Sequence, residues 1–301
     1  MGAGMARRNI VYRAYHRIYR YLRVRLLVGR LRLGQFRAFQ GNRAANLVVS
    51  LTSFPARIDD VWITIESIFQ QHYKPSRVVL VLAEPEFPGR KLPRSLERQV
   101  ARGLHILWVP HNTRSYKKLL PVRDQYPDSA IVTLDDDIIY EPWRLGRLAA
   151  KSRQYPGSII GFRGREVCLR DVTGFRPYMD WPLATLTTPP CRTLLTGVGG
   201  ILYPPGVMDS DMLFDMASAQ ELAPTADDIW FWAVALRSGV PVRCLGYQEH
   251  IAIRMNDLEN SLQKVNCDEG RNDRQLAAVA NAYNLWDSLT AGSAIRDAGT
   301  G

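Results

Sequence analysis

Apolar residues in the first half of the chain fall in short unbroken runs, and between the runs they recur at helical spacing. Asn46 to Ser53 reads NLVVSLTS, Arg77 to Leu82 RVVLVL, Leu104 to Val109 LHILWV and Ala130 to Leu134 AIVTL. Runs of this length, rich in Val, Ile and Leu, predict strands buried on both faces. Asp59 suits the N-cap of a helix through Gln71 with Val61, Ile65 and Ile68 inward. Leu92 to Arg102 and Tyr116 to Gln125 read as further helices. Strand and helix in alternation predict an α/β fold with a mixed, mostly parallel sheet covered on both faces.

Past Pro142 the pattern gives a helix to about Tyr155 and a strand over Ser158 to Phe162, then loses its period through Pro190. Pro177, Tyr178, Trp181 and Pro182 crowd that stretch, which suits a substrate-shaping insertion. A helix from about Ala226 to Ser238, a strand over Val242 to Leu245 and a last helix from Arg271 to Leu289 follow. The small, polar tail from Gly292 is expected to fray.

Ahead of the sheet, Val11, Tyr15, Ile18, Leu22 and Leu26 share one helical face, while Arg13, Arg17, Arg20 and Arg23 take the other. The division is therefore a basic amphipathic arm (1–45), an α/β body (46–255) and a C-terminal helix with its tail (256–301). Residues 1–45 hold eleven Arg and no acid, out of totals of 39 basic and 29 acidic residues. The body from 46 onward is thus near neutral, which argues against a broadly basic nucleic-acid-binding domain. Such an arm fits an anionic membrane surface, with helix packing on the body or a partner as the alternative. No run reaches the length of a membrane span and no CxxC pair occurs among the four cysteines, so free thiols on the cytoplasmic side are expected.

Candidate chemistry lies in four places. Asp135, Asp136 and Asp137 end the fourth predicted strand, where alternation sets Asp135 and Asp137 on one side. Paired carboxylates there suit Mg²⁺ or Mn²⁺, and an acidic capping turn is the plainer reading. Asp227 and Asp228 open the helix carrying Ile229 to Trp232, as caps or as a general base for a hydroxyl. Gly197, Gly199 and Gly200 form a loop suited either to close approach by a ligand or to a tight turn between strands. Arg57, Lys117 and Lys118 can hold a diphosphate, and His250 follows a predicted strand.

In this order, VSLTSFPARI (49–58), SYKKLLP (115–121), TLDDDIIY (133–140), TGVGGILYPP (196–205) and TADDIWFW (225–232) resemble the GT-A glycosyltransferases of bacterial capsule and surface-polysaccharide synthesis. The resemblance implies a Rossmann-like GT-A fold with donor contacts from Ser50, Thr52, Arg57, Lys117, Lys118, Asp135, Asp136 and the three loop glycines. It implies a divalent ion on Asp135 and Asp137, with His250 as a further ligand. Ala226-Asp227-Asp228 matches the acidic motif of inverting members, with Asp where the family has Glu and Asp228 the favoured base. From their chemistry Trp181 and Trp230 are candidates to stack on acceptor sugars, with burial in the core the equal alternative for Trp230. The expected activity is transfer from a nucleotide-diphosphate sugar to a saccharide or lipid-linked acceptor at the inner face of the plasma membrane. A metal-dependent phosphotransferase or nuclease, or a membrane or RNA adaptor, would share some of these features.

Overall fold

The structure, a computed structural model, describes residues 22–34, 38–42, 45–208, 211–246, 252–254 and 270–290. Its main sheet has seven strands: β1 (Leu47–Thr52), β2 (Arg77–Ala83), β3 (Leu104–Val109), β4 (Ala130–Thr133), β6 (Ile159–Gly161), β11 (Ile201–Tyr203) and β12 (Val242–Cys244). They lie in the order β12-β6-β11-β4-β1-β2-β3. β1 pairs parallel with β2 and β4, β2 with β3, and β6 with β12, while β11 runs antiparallel between β4 and β6. This is the mixed, mostly parallel sheet that the apolar runs predict.

Strand alternation sorts the core into two layers. Val48, Val79 and Val81 face one layer with Ile229 and Val234 of α8 (Asp227–Arg237) and Leu276 and Val279 of α9 (Arg271–Ala282). Val49, Leu51, Val78, Leu80 and Leu82 face the other, with Val61, Ile65 and Ile68 of α2 (Val61–Phe69). Each such side chain contributes about 1.5–3 kcal/mol on full burial, so continuous runs are the sequence signature of strands covered on both sides.

Several boundaries differ from the periodicity. α2 starts at Val61, and neither it nor its cap residue Asp60 has a side-chain capping bond, so Asp59 is not the N-cap. The stretch expected as one helix over 116–125 is a 3₁₀ turn (Arg114–Lys118) followed by α4 (Leu120–Gln125), because Pro121 is accommodated only in a helix's first turn. The last helix stops at Ala282, where Asn284 takes a left-handed φ of 46°, and resumes over 286–290. The stretch expected as irregular contains β7 (Gly164–Glu166), β8 (Leu169–Asp171) and β9 (Gly174–Phe175), and β7 pairs with β10 (Thr193–Leu195).

The arm also departs from expectation. Residues 22–34 form α1, but the side docked on the body is Val24, Leu27, Val28 and Leu31, with Leu31 buried. Leu22 and Leu26 of the expected face are exposed, and Val11, Tyr15 and Ile18 lie outside the described residues. Among the described residues no helix is long and apolar enough to cross a membrane, and Cys168, Cys191 and Cys244 are free thiols.

Candidate active site

Parallel pairing of β1 with β4 brings the loops after both strands to the same edge of the sheet. β4 ends at Thr133, so the three aspartates occupy the turn before β5 (Ile138–Tyr140) rather than the strand itself. Strict alternation therefore does not apply to them. Arg57 Nη1 reaches both Asp136 Oδ1, at 2.7 Å, and Asp137 Oδ2, at 3.4 Å. Asp136 is pinned further by Ser53, whose Oγ donates to Oδ2 at 2.6 Å, and its carbonyl accepts from Thr64 Oγ1 at 2.8 Å. It is buried, and its role is to fix the turn. Burial opposes the charge of Arg57, but Asp136, Asp137 and Asp135 outweigh it and hold the guanidinium pKa above its ordinary value.

Asp135 faces a different cation. Lys118 Nζ donates to its Oδ1 at 2.9 Å, and the Asp135 N–H donates to Tyr140 Oη at 2.8 Å. Burial works against the Lys118 charge, yet the fields of Asp135, Asp227 and Asp228 raise its pKa well above the ordinary value. Lys118 thus joins the aspartate turn of one half of the sheet to the start of α8 in the other.

The glycine loop closes the cluster. Gly197 N–H donates to Asp228 Oδ2 at 3.2 Å. A Cβ on Gly197 would stand 3.2 Å from Asp135 Oδ1 and 3.5 Å from Lys118 Nζ, so the missing side chain is what admits both groups. Gly199 and Gly200 have φ near +99° and +98°, and the Gly199 carbonyl accepts from the buried Arg144 at 2.9 Å. Both readings of this loop hold together: it is a tight turn between β10 and β11, and it lies against the acidic site.

Asp228 is half-buried at the first turn of α8. It also lines a small cavity of about 20 Å³ with Ile201, Tyr203, Phe231 and Trp232. Burial and the neighbouring charge of Asp227 push its pKa up to about 8, against the opposing pull of Lys118. That suits proton transfer near neutral pH better than an ordinary carboxylate does.

The donor set of Asp135 and Asp137 is hard oxygen, which fits Mg²⁺ or Mn²⁺. Such ions take one or two protein carboxylates and complete their shells with water and phosphate oxygens. Among the described residues no group of three or more His, Cys, Asp or Glu side chains forms a ligand set by itself. His250 lies outside the described residues.

Other expected site residues lie elsewhere. Ser50 is fully buried within β1, its hydroxyl has no hydrogen-bond partner, and it cannot touch a donor. Thr52 donates its hydroxyl to the Val81 carbonyl at 2.8 Å, bracing β1 against β2. Lys117 is buried against Glu86 Oε2 at 3.0 Å and Asn112 Oδ1 at 2.7 Å, where its charge braces the loop after β2. Trp181 and Trp230 are core side chains with 2% and 0% exposure, and no ring face is open to a sugar. Trp181 packs on Tyr178 and Phe175, and Trp230 on Tyr283. Sequence reasoning did not single out Ser53, Thr64, Tyr140 or Arg144. Arg144 in particular looks like a solvated residue of α5 (Arg144–Gln154), yet it is wholly buried.

No family model matches the chain, and no curated protein matches it. Among solved structures, a CMP:2-keto-3-deoxy-manno-octonic acid synthetase complexed with CTP is 13% identical, covering 75% of this chain and 99% of its own, with a TM-score of 0.41. Residues 1–349 of S. aureus TarS are 16% identical, with 68% of this chain and 59% of that one covered and a TM-score of 0.45. A mannosyltransferase from Pyrobaculum calidifontis in complex with GDP-Man and Mn²⁺ is 11% identical, with 97% and 86% covered and a TM-score of 0.45. At such low scores and identities the functional reading rests on this chain's own residues.

Proposed function

We propose that the chain is a nucleotide-sugar-dependent glycosyltransferase of the GT-A kind. The observation that carries this reading is the meeting of three elements at one point. Gly197 donates its N–H to Asp228, and a Cβ there would stand 3.2 Å from Asp135 Oδ1, while Lys118 ties Asp135 to the field of the α8 aspartates. A site that transfers a sugar needs neutralised phosphate oxygens next to a group that takes a proton from a hydroxyl, and these residues supply both.

In this reading Asp135 and Asp137 hold Mn²⁺ or Mg²⁺, which supplies positive charge to the leaving diphosphate. Arg57 and Lys118 orient the carboxylates, and the 197–200 loop presents backbone to the donor sugar. Asp228, assisted by Asp227, removes the acceptor hydroxyl proton, and attack opposite the diphosphate inverts the anomeric centre. The acceptor is a saccharide or a lipid-linked sugar of the cell envelope. The arm holds the enzyme on the inner face of an anionic membrane.

The test is a thermal-shift screen of nucleotide-diphosphate sugars with and without Mn²⁺. One donor should raise the midpoint with Mn²⁺ and much less without it, because a ligand that binds only the folded state stabilises that state. Asp137→Ala should remove the Mn²⁺-dependent part. Product analysis should show free nucleoside diphosphate and transferred sugar. Transfer of phosphate to the acceptor, or the absence of any donor shift, would refute the reading.

A further inference from the structure

α1 carries two apolar stripes, and the body uses only one of them. Val24, Leu27, Val28 and Leu31 pack on the core layer beneath α2. The end of the helix is clamped there too: Arg102 Nη2 donates to the Gly34 carbonyl at 3.2 Å, and a Cβ on Gly34 would meet Gln70 Nε2 at 2.0 Å. The Arg32 guanidinium lies 5.9 Å from the Trp62 ring centre. These contacts set the rotation of α1 about its own axis.

On the opposite side, Leu22, Leu26 and Leu33 stand in one row at helical spacing, with exposures of 54%, 71% and 76%. Gly29 continues the row with open space around its Cβ position. Arg23 and Arg30 flank the row on one side, Arg25 and Arg32 on the other. Arg25, Arg30 and Arg32 are exposed and Arg23 is half-buried.

We infer that this outward row is the membrane-contact face of the protein and that its partner is the headgroup layer of an anionic bilayer. This deepens the membrane reading of the arm by naming the contact side chains and the fixed side of the body from which they project. The leucines would enter the acyl boundary while exposed Arg30 on one side and Arg25 on the other reach toward lipid phosphates. Charge decides between occupants. A second copy seated face to face would set arginine rows against arginine rows, and residues 1–45 contain no acid to neutralise them. A nucleic acid would pair with the arginines but leave a central row of leucines in contact with phosphate. An anionic bilayer satisfies both the row and its flanks.

The experiment is co-sedimentation of the full chain with vesicles of phosphatidylcholine alone or mixed with phosphatidylglycerol, at physiological salt. The wild type should pellet with the anionic vesicles and stay in solution with the neutral ones. Leu26→Glu with Leu33→Glu should lower partitioning at least about tenfold, and its melting midpoint should not move because both side chains are exposed. Arg23→Ala with Arg30→Ala should reduce the preference for anionic vesicles by a similar factor. Unchanged pelleting of the double Glu variant would overturn the inference. So would equal binding to neutral vesicles, or a self-associated or RNA-bound form that the same Leu substitutions disperse. Donor-induced thermal shift in every variant reports separately on the transferase reading, so the two can fail independently.

Discussion

Asp228 shows how position rewrites the chemistry of a common residue. The carboxyl has one N–H donor, a neighbouring aspartate and an apolar cavity, so its charged form is disfavoured and its pKa rises from 3.8 to about 8. The folded state therefore holds a proton there that the unfolded chain has released between about pH 4 and pH 8. It follows that this group's contribution falls as pH rises through that window and is level above it. Asp228→Asn, which cannot ionise, should gain stability relative to wild type as pH rises from about 4 to 8, measured by urea unfolding at several pH values. The same variant should still bind donor while kcat drops about 10²–10⁴-fold, the usual worth of a positioned general base. Wild-type kcat/KM should rise with pH toward the Asp228 pKa, since only the ionised carboxylate accepts the proton.

Among elements, the β10–β11 turn is the most exacting. Gly200 has φ of +98°, outside the small left-handed region that L side chains tolerate, and an added Cβ would stand 2.6 Å from Leu134 Cδ2. Gly200→Ala should cost about 1–3 kcal/mol from backbone strain alone, seen as a lower midpoint in urea. Because the turn also carries Gly197, the variant should weaken donor binding as well. The sequence marks this turn openly, since a run of glycines between apolar segments has few other readings. It does not mark the Arg144 that holds the Gly199 carbonyl, because a buried arginine on α5 is spelled like any exposed one. The same blindness applied to Ser50 and Trp181, while for Trp230 the sequence left core and acceptor contact open; all three are core.

At the scale of the molecule, the candidate site exists only because the sheet joins two halves that are distant in sequence. Lys118 is the link, 2.9 Å from Asp135 and within the field of Asp227 and Asp228. Lys118→Met would remove the half-buried cation that pairs with Asp135 and lies in the field of Asp227 and Asp228. Breaking a fully buried pair from one side costs about 3–5 kcal/mol, and partial exposure of this one screens it to roughly 1–2 kcal/mol. Urea unfolding of the variant at neutral pH should show a loss of that order, and circular dichroism of the native state should be unchanged. The docked stripe of α1 and the packing of α9 on α8 show the same scale at work: segments outside the strand-helix alternation are completed by contacts with it.

The sequence by itself determined the long buried strands of the first half, the order of the acidic and glycine segments, and the basic character of the arm. Those depend on local period and on residue type, which are legible along a chain. Only the tertiary structure decided which aspartate is held by Ser53 and Thr64, which lysine pairs with Asp135, which tryptophans are buried and which stripe of α1 faces outward. Each of those is settled by distances between residues far apart in sequence, where burial and neighbouring charge act and linear spacing carries no information.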